Sequence, residues 1–350
     1  MMTSNNQTIF GMQNKAERYS WAAYHIFVLL SSLIGDTLIL YASFQERVFR
    51  LNKFIVIVIQ YIAVADLAYA IFSVFPGAVS LIADSWVLGD VMCYVRVYSG
   101  FFIYPGGMSL IAVMTVSKFL LLKYPVRCSR LTKRMAHQIC CLVFIPPLAF
   151  PILFLVVDKD DVRFDYIPYT CTYGFRANVW KEIEPIISFI TLFLPIIAII
   201  ASTIPTLKYL VDARKCARRA QGNVPWQGAL TVSVTAFVFC ISTLPNFVLK
   251  ISRHFVKDDP TGLFQFHFPR INEYMLMINI MSNFYIYTLT VRSFRRFLMS
   301  KICFISPASS DLTATGESRN AKNSIKMSDK IPKVSEISEK RRKTQMDHSN

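Results

Sequence analysis

Seven blocks of about twenty or more apolar residues, separated by polar segments, constrain this chain more than any other feature. They run near Trp21–Phe44, Phe54–Ala83, Met92–Leu122, His137–Val157, Pro185–Leu210, Gly228–Ile251 and Ile271–Val291. A helix of about 20 apolar residues crosses the hydrocarbon core of a bilayer. A buried helix in a large soluble protein would account for one such block, not for seven with almost no internal charge. Charged residues make up only 17% of the chain, against about a quarter in soluble domains. The first block lacks a small-residue cleavage site, so it reads as a span and not as a cleaved signal peptide. The expected fold class is an all-α membrane protein, a seven-transmembrane helix bundle.

The net charge of +16 is distributed as in a membrane protein, which argues against nucleic acid as its partner. Arg47, Arg50 and Lys53 follow the first block; Lys123, Arg127, Arg130, Lys133 and Arg134 follow the third; Lys208, Arg214, Lys215, Arg218 and Arg219 follow the fifth; Arg292, Arg295, Arg296 and Lys301 follow the seventh. The segment between the second and third blocks has Asp84 and Asp90 and no basic residue, and the next one on that side balances its bases with acids. Lys and Arg mark the cytoplasmic side. The amino terminus is therefore expected outside and the carboxyl terminus inside, in a multi-pass plasma-membrane protein.

Asn6-Gln7-Thr8 is a glycosylation acceptor on the expected outer side. Of eight cysteines, only Cys93 and Cys171 are expected to face outside, where disulfides persist. The tail from Ser306 is rich in Ser, Thr, Lys and Glu and poor in aromatics, so it cannot bury enough surface to offset its ordering entropy. The organisation expected is an extracellular segment 1–20, a seven-transmembrane domain 21–304 and a disordered cytoplasmic tail 305–350. No H-E-x-x-H, G-x-S-x-G or phosphate-cradling glycine loop occurs, and the five histidines are scattered without metal-ligand spacing. An enzyme and a metal centre are not expected.

Trp86-Val-Leu-Gly89-Asp-Val-Met-Cys93 resembles the W-x-x-G-x-x-x-C of rhodopsin-like (class A) G-protein-coupled receptors. Ile62-Ala63-Val64-Ala65-Asp66-Leu67 resembles their second-span L-A-x-A-D-L, and Asn283-Phe284-Tyr285-Ile286-Tyr287 their N-P-x-x-Y with Phe for Pro. The resemblance covers the first span to Cys303. It implies that Cys93 is bonded to Cys171, and that Phe294-Arg295-Arg296-Phe297-Leu298 opens a short cytoplasmic amphipathic helix after the seventh span, with Cys303 either palmitoylated or a plain thiol.

The same resemblance identifies the departures. Ser117-Lys118-Phe119 stands where the family has D-R-Y, and Pro225 where it has an acid at the base of the sixth span. Lysine is a point charge and not a bidentate fork, so the resting ionic clamp is expected to be absent. Lys118 then either snorkels to the inner interface or serves only as an anchor there. Thr243 replaces the tryptophan of the sixth-span switch, while Phe239, Pro245 and Tyr287 are kept. The activation parts are thus Ser117, Lys118, Phe119, Phe239, Pro245 and Tyr287.

The resemblance implies that Asp36 and Asp66 sit close together, and a carboxylate at membrane depth is a functional candidate by default. With Asn279 and Asn283 they form either a sodium site or a hydrogen-bonded, proton-sharing pair; Gly107 replaces the serine that the family places there. No other cofactor is expected. The resemblance implies an outer ligand cavity lined by Arg96, Gly100, Phe101, Tyr104, Tyr173, Thr191, Asn246, Phe247, Lys250, Glu273 and Met277. Glu273 pairs either with Lys250 or with Arg96. Gly100 stands in place of the amine-binding aspartate and Met277 in place of the retinal lysine, which disfavours amine receptors and photopigments.

The resemblance implies a receptor that binds an extracellular ligand, a peptide or small organic molecule, and activates a heterotrimeric G protein. Partners would include membrane lipid and, through the Ser/Thr-rich tail, arrestin. The alternatives are a poorly signalling decoy or partner-dependent receptor, and a transporter. No inverted halves of the transporter kind are visible in the sequence.

Overall fold

The computed structural model describes residues 15–45, 48–49, 52–124, 131–157, 162–166, 169–173, 186–187, 189–219, 226–255 and 268–302. Its helices are α1 (Lys15–Ser43), α2 (Lys53–Tyr69), α3 (Phe75–Ala83), α4 (Gly89–Lys123), α5 (Lys133–Leu142), α6 (Ile145–Val157), α7 (Leu194–Arg219), α8 (Trp226–Phe255), α9 (Phe268–Thr290) and α10 (Arg292–Ile302). A two-stranded antiparallel hairpin, β1 (Val162–Asp165) and β2 (Thr170–Tyr173), follows α6. The chain divides into two units at Arg295, and the bundle is the first.

Prolines shape the rods. A π-helical turn, Ala70–Val74, joins α2 to α3 just before Pro76, and another, Phe189–Phe193, precedes Pro195 at the start of α7. Proline lacks an N–H and crowds the carbonyl four residues back, and a wider turn relieves the crowding. The fourth block breaks at Val143–Phe144 into α5 and α6, because Pro146 and Pro147 cannot donate to the ladder.

The burial pattern is inverted relative to a soluble protein. Asp36, Asp66, Asn279 and Asn283 are buried, while Ile34, Ile204, Phe237 and Leu289 are exposed. A soluble monomer rarely shows apolar surface on this scale, whereas a lipid-facing bundle must. Five rods among the described residues are long and apolar enough to cross a membrane: Lys15–Ser43, Lys53–Ala83, Gly89–Lys123, Lys133–Leu153 and Phe189–Tyr209. Within α8, a shorter apolar stretch, Ser233–Asn246, is found. The seventh expected block is a helix, α9, but does not reach that apolarity. Its Asn272, Glu273, Asn279, Ser282 and Asn283 lower its hydropathy, and the last three are buried.

Helix α4 is the hub of the bundle, packing on α2, α6, α7, α8 and the hairpin, while α9 packs along α8 and α1. Two glycines let neighbours in. The ring of Phe284 sits where a Cβ on Gly35 would stand, and that of Phe144 where one on Gly106 would stand. Phe284, which replaces the family's proline, therefore seats α9 against α1.

The end of the bundle that carries the hairpin is more structured than the sequence indicated. Helix α1 begins six residues before the expected first span, since Lys15 starts it. Buried Arg18 pairs with Asp84, which ends α3 in a left-handed conformation (φ 61°). The Tyr169 hydroxyl donates to the same carboxylate at 2.9 Å. Burial raises the Tyr169 hydroxyl above its usual range, so it stays a neutral donor.

Candidate functional site at the outer half of the bundle

The disulfide roofs the site. Cys93 and Cys171 are bonded, with Cα atoms 5.4 Å apart. Gly89 adopts φ +75°, a conformation that favours glycine, and its carbonyl accepts from Trp86 Nε1–H at 2.8 Å. That turn opens α4 one helical turn before Cys93, which explains the spacing of the W-x-x-G-x-x-x-C segment. Val97, Phe101, Val162 and Phe164 pack around the two sulfurs. Phe101, expected as a ligand contact, packs against the cluster of Cys93, Val97 and Cys171.

Below the roof lies an ion pair. Arg96 Nη2 donates to Glu273 Oε1 at 2.5 Å, with the arginine side chain 7% exposed and the glutamate 16%. Of the two partners expected for Glu273, Arg96 is seen paired with it, and the Lys250 side chain lies outside the described residues. Gly100 leaves room for the guanidinium: a Cβ there would stand 3.3 Å from Arg96 Nη1. Arg96 Nε and the Tyr104 hydroxyl are buried without a hydrogen-bond partner among the described residues. Tyr69 stands beside them, its ring 6.1 Å from that of Tyr104.

Helix α1 closes the side of this cluster. Trp21 stacks on Tyr274 at 3.4 Å between centroids, and the Tyr24 hydroxyl donates to the Tyr274 carbonyl at 3.0 Å. His25 is buried and donates from Nδ1 to the Trp21 carbonyl at 2.9 Å. Sequence reading missed Arg18, Trp21 and His25. Their spacing, three and then four residues, puts them on one helical face, but two of the three are polar and so invisible to an apolar pattern.

The other expected cavity residues are distributed as follows. Met277 is buried on α9 one turn from Glu273. Thr191 is buried, and its hydroxyl donates to the Ile187 carbonyl at 2.8 Å. Asn246 is half-buried on α8, one residue after Pro245. Phe247 and Lys250 lie on α8 and Tyr173 ends β2, but their side chains lie outside the described residues.

Deeper down, Asn283 Nδ2 donates to Asp66 Oδ2 at 2.7 Å, and Ser32 Oγ donates to Asp36 Oδ2 at 2.5 Å. The two carboxylates are near enough to act on each other electrostatically. A small cavity beside them is lined by Asp66, Tyr69, Tyr104, Gly107, Met108 and Asn279. A hard cation takes about six oxygens. Asp66 has one carboxylate oxygen already committed, Asn279 supplies one amide oxygen, and Gly107 supplies no side-chain oxygen. No group of three or more His, Cys, Asp or Glu able to hold a metal occurs among the described residues.

At the opposite end, Lys118 is half-buried on α4 and no acidic side chain pairs with it among the described residues. Ser117 is buried and Phe119 half-buried beside it. Phe239 is fully buried on α8, and the Thr243 hydroxyl donates to its carbonyl at 2.8 Å. Tyr287 is buried beside Met114, and its ring lies 5.8 Å from that of Phe49. Pro225, Asn6 and Cys303 lie outside the described residues.

No curated protein matches the chain. The family model of the 7 transmembrane receptor (rhodopsin family) matches residues 35–287, most of the chain and nearly the whole bundle. That span holds Asp36, the disulfide, the Arg96–Glu273 pair and Tyr287. The chain is a multi-pass membrane protein and belongs to the rhodopsin family of seven-transmembrane receptors.

Proposed function

We propose that this chain is a plasma-membrane receptor that crosses the bilayer seven times, binds a small organic or peptide ligand from outside, and activates a heterotrimeric G protein inside. The single observation that supports this most is the family match over residues 35–287. The seventh crossing is α9, whose polar residues turn inward. The amino terminus, with Asn6 glycosylated, is outside, because Lys and Arg concentrate in the alternate connections on the other side. Helix α10 lies on the inner leaflet, since Phe294, Phe297 and Leu298 share one face and Arg292, Arg295 and Arg296 the other. Cys303 is its lipid anchor, and the tail beyond recruits arrestin.

Ligand contacts come from Arg96, Gly100, Phe101, Tyr104, Tyr173, Thr191, Asn246, Phe247, Lys250, Glu273 and Met277, under the hairpin held by Cys93 and Cys171. Lys118 has no acidic partner among the described residues to hold the resting state, so basal signalling is high. The test uses G-protein biosensors in cells expressing the full chain. Ser117→Asp with Lys118→Arg lowers basal output several-fold by restoring the clamp. Equal output from the two forms at equal surface expression would remove the clamp reading. Silence across every G-protein class would leave the decoy reading.

Asp36, Asp66, Asn279 and Asn283 act as a hydrogen-bonded polar core and not as a sodium site. Exchanging sodium for choline at constant ionic strength leaves the thermal unfolding midpoint of the purified receptor unchanged. A sodium-dependent rise that disappears in Asp66→Asn would establish the cation site instead.

A further inference from the structure

The Arg96–Glu273 pair assigns a ligand class to the proposed ligand site. We infer that this receptor recognises a small zwitterion whose ammonium and carboxylate sit on the same or adjacent carbon atoms, as in an amino acid. The inference rests on the outer cavity being the ligand site.

The geometry has four parts. First, the pair is electroneutral and almost fully buried. A ligand with one net charge would displace one partner and leave its charge unpaired at membrane depth, a large penalty. A ligand with both charges replaces both contacts and leaves none unpaired. Second, Arg96 holds Glu273 through Nη2 alone, and buried Nε has no partner among the described residues. Nε and Nη2 form the side-on fork of a guanidinium, which accepts a carboxylate through two parallel bonds. Glu273 fills half of that fork, and a ligand carboxylate fills all of it. Third, the buried Tyr104 hydroxyl also lacks a partner among the described residues, giving one more donor for a ligand oxygen. Fourth, the two protein charges are 2.5 Å apart, so the ligand's own charges must be close together. A long peptide carrying its charges at opposite ends cannot meet both.

The freed Glu273 carboxylate takes the ammonium. This differs from an amine site on the third span, where Gly100 has no side chain. The acid instead comes from α9, and its cationic counterpart Arg96 stands one turn before Gly100 on α4.

The experiment uses the purified full chain in lipid nanodiscs and needs no G protein. Each proteinogenic L-amino acid is added in turn and the thermal unfolding midpoint is read, since a ligand that binds only the folded state raises it with concentration. At least one amino acid raises the midpoint. Its N-acetyl derivative (anionic) and its methyl ester (cationic) do not, and Arg96→Met with Glu273→Leu, which removes both charges together, abolishes the rise. A silent amino-acid set, or an N-acetyl derivative as effective as its parent, overturns the inference. A silent set in a receptor that couples in biosensor cells removes the ligand class alone. A positive set in a receptor that never couples removes the G-protein reading alone.

Discussion

Arg96→Met alone lowers the stability of the purified receptor by about 3–5 kcal/mol, because it leaves Glu273 buried and unpaired. Glu273 is only 16% exposed at its side chain, so water cannot solvate the stranded carboxylate well. Glu273→Leu, which strands the guanidinium, costs a similar amount, moderated by the length of the arginine stem, which lets its head seek polar surroundings. The double variant recovers most of the loss. Replacing a buried ion pair by apolar groups of similar volume is often neutral or stabilising, whereas breaking it from one side is not. The checking measurement is a double-mutant cycle on unfolding midpoints in nanodiscs at one fixed scan rate. If the two single losses simply add in the double variant, the side chains are uncoupled and the pair contributes nothing as a pair.

Replacing Cys93 and Cys171 by alanine has the second-largest effect. The bond closes a loop with a sequence separation of 78, for which chain entropy alone gives about 4.5 kcal/mol. The denatured state of a membrane protein keeps its spans inserted, so less entropy is there to remove, and about 2 kcal/mol is expected by the same reasoning. The loss is also local. Val162 and Phe164 of the hairpin pack on the cystine, and the hairpin is tied elsewhere through Tyr169 to Asp84 and Arg18. Amide exchange in β1 and β2 therefore accelerates more than in α9. Unchanged exchange in Thr170–Tyr173 would show that the Arg18–Asp84–Tyr169 contacts hold the hairpin without the sulfurs.

These two effects mark where the sequence was legible. The Cys93–Cys171 bond could be expected from a resemblance, because the motif around Cys93 is local: a tryptophan, a glycine that turns and a cysteine one helical turn on. The partner of Glu273 could not. Lys250 and Arg96 were equally good candidates along the chain, and only the packing of α4 against its neighbours, with Gly100 making room for the guanidinium, brought Arg96 to the acid. The Arg18–Asp84–Tyr169 cluster was hidden for a similar reason. A polar residue just ahead of an apolar block looks like a solvated flank until its distant partner is known.

The amino-acid order by itself determined the bundle and its lipid-facing surface. Those depend on apolar block length and helical periodicity, which are properties of neighbours in the chain. It also determined the breaks and wide turns at Pro76, Pro146, Pro147 and Pro195, since a missing N–H acts within a few residues. Tertiary structure alone decided which buried charges meet and why Gly35 must be small beside Phe284. Those outcomes depend on residues tens to hundreds of positions apart, and a hydrocarbon surround makes each unpaired polar group costly enough that the pairing cannot be left to chance.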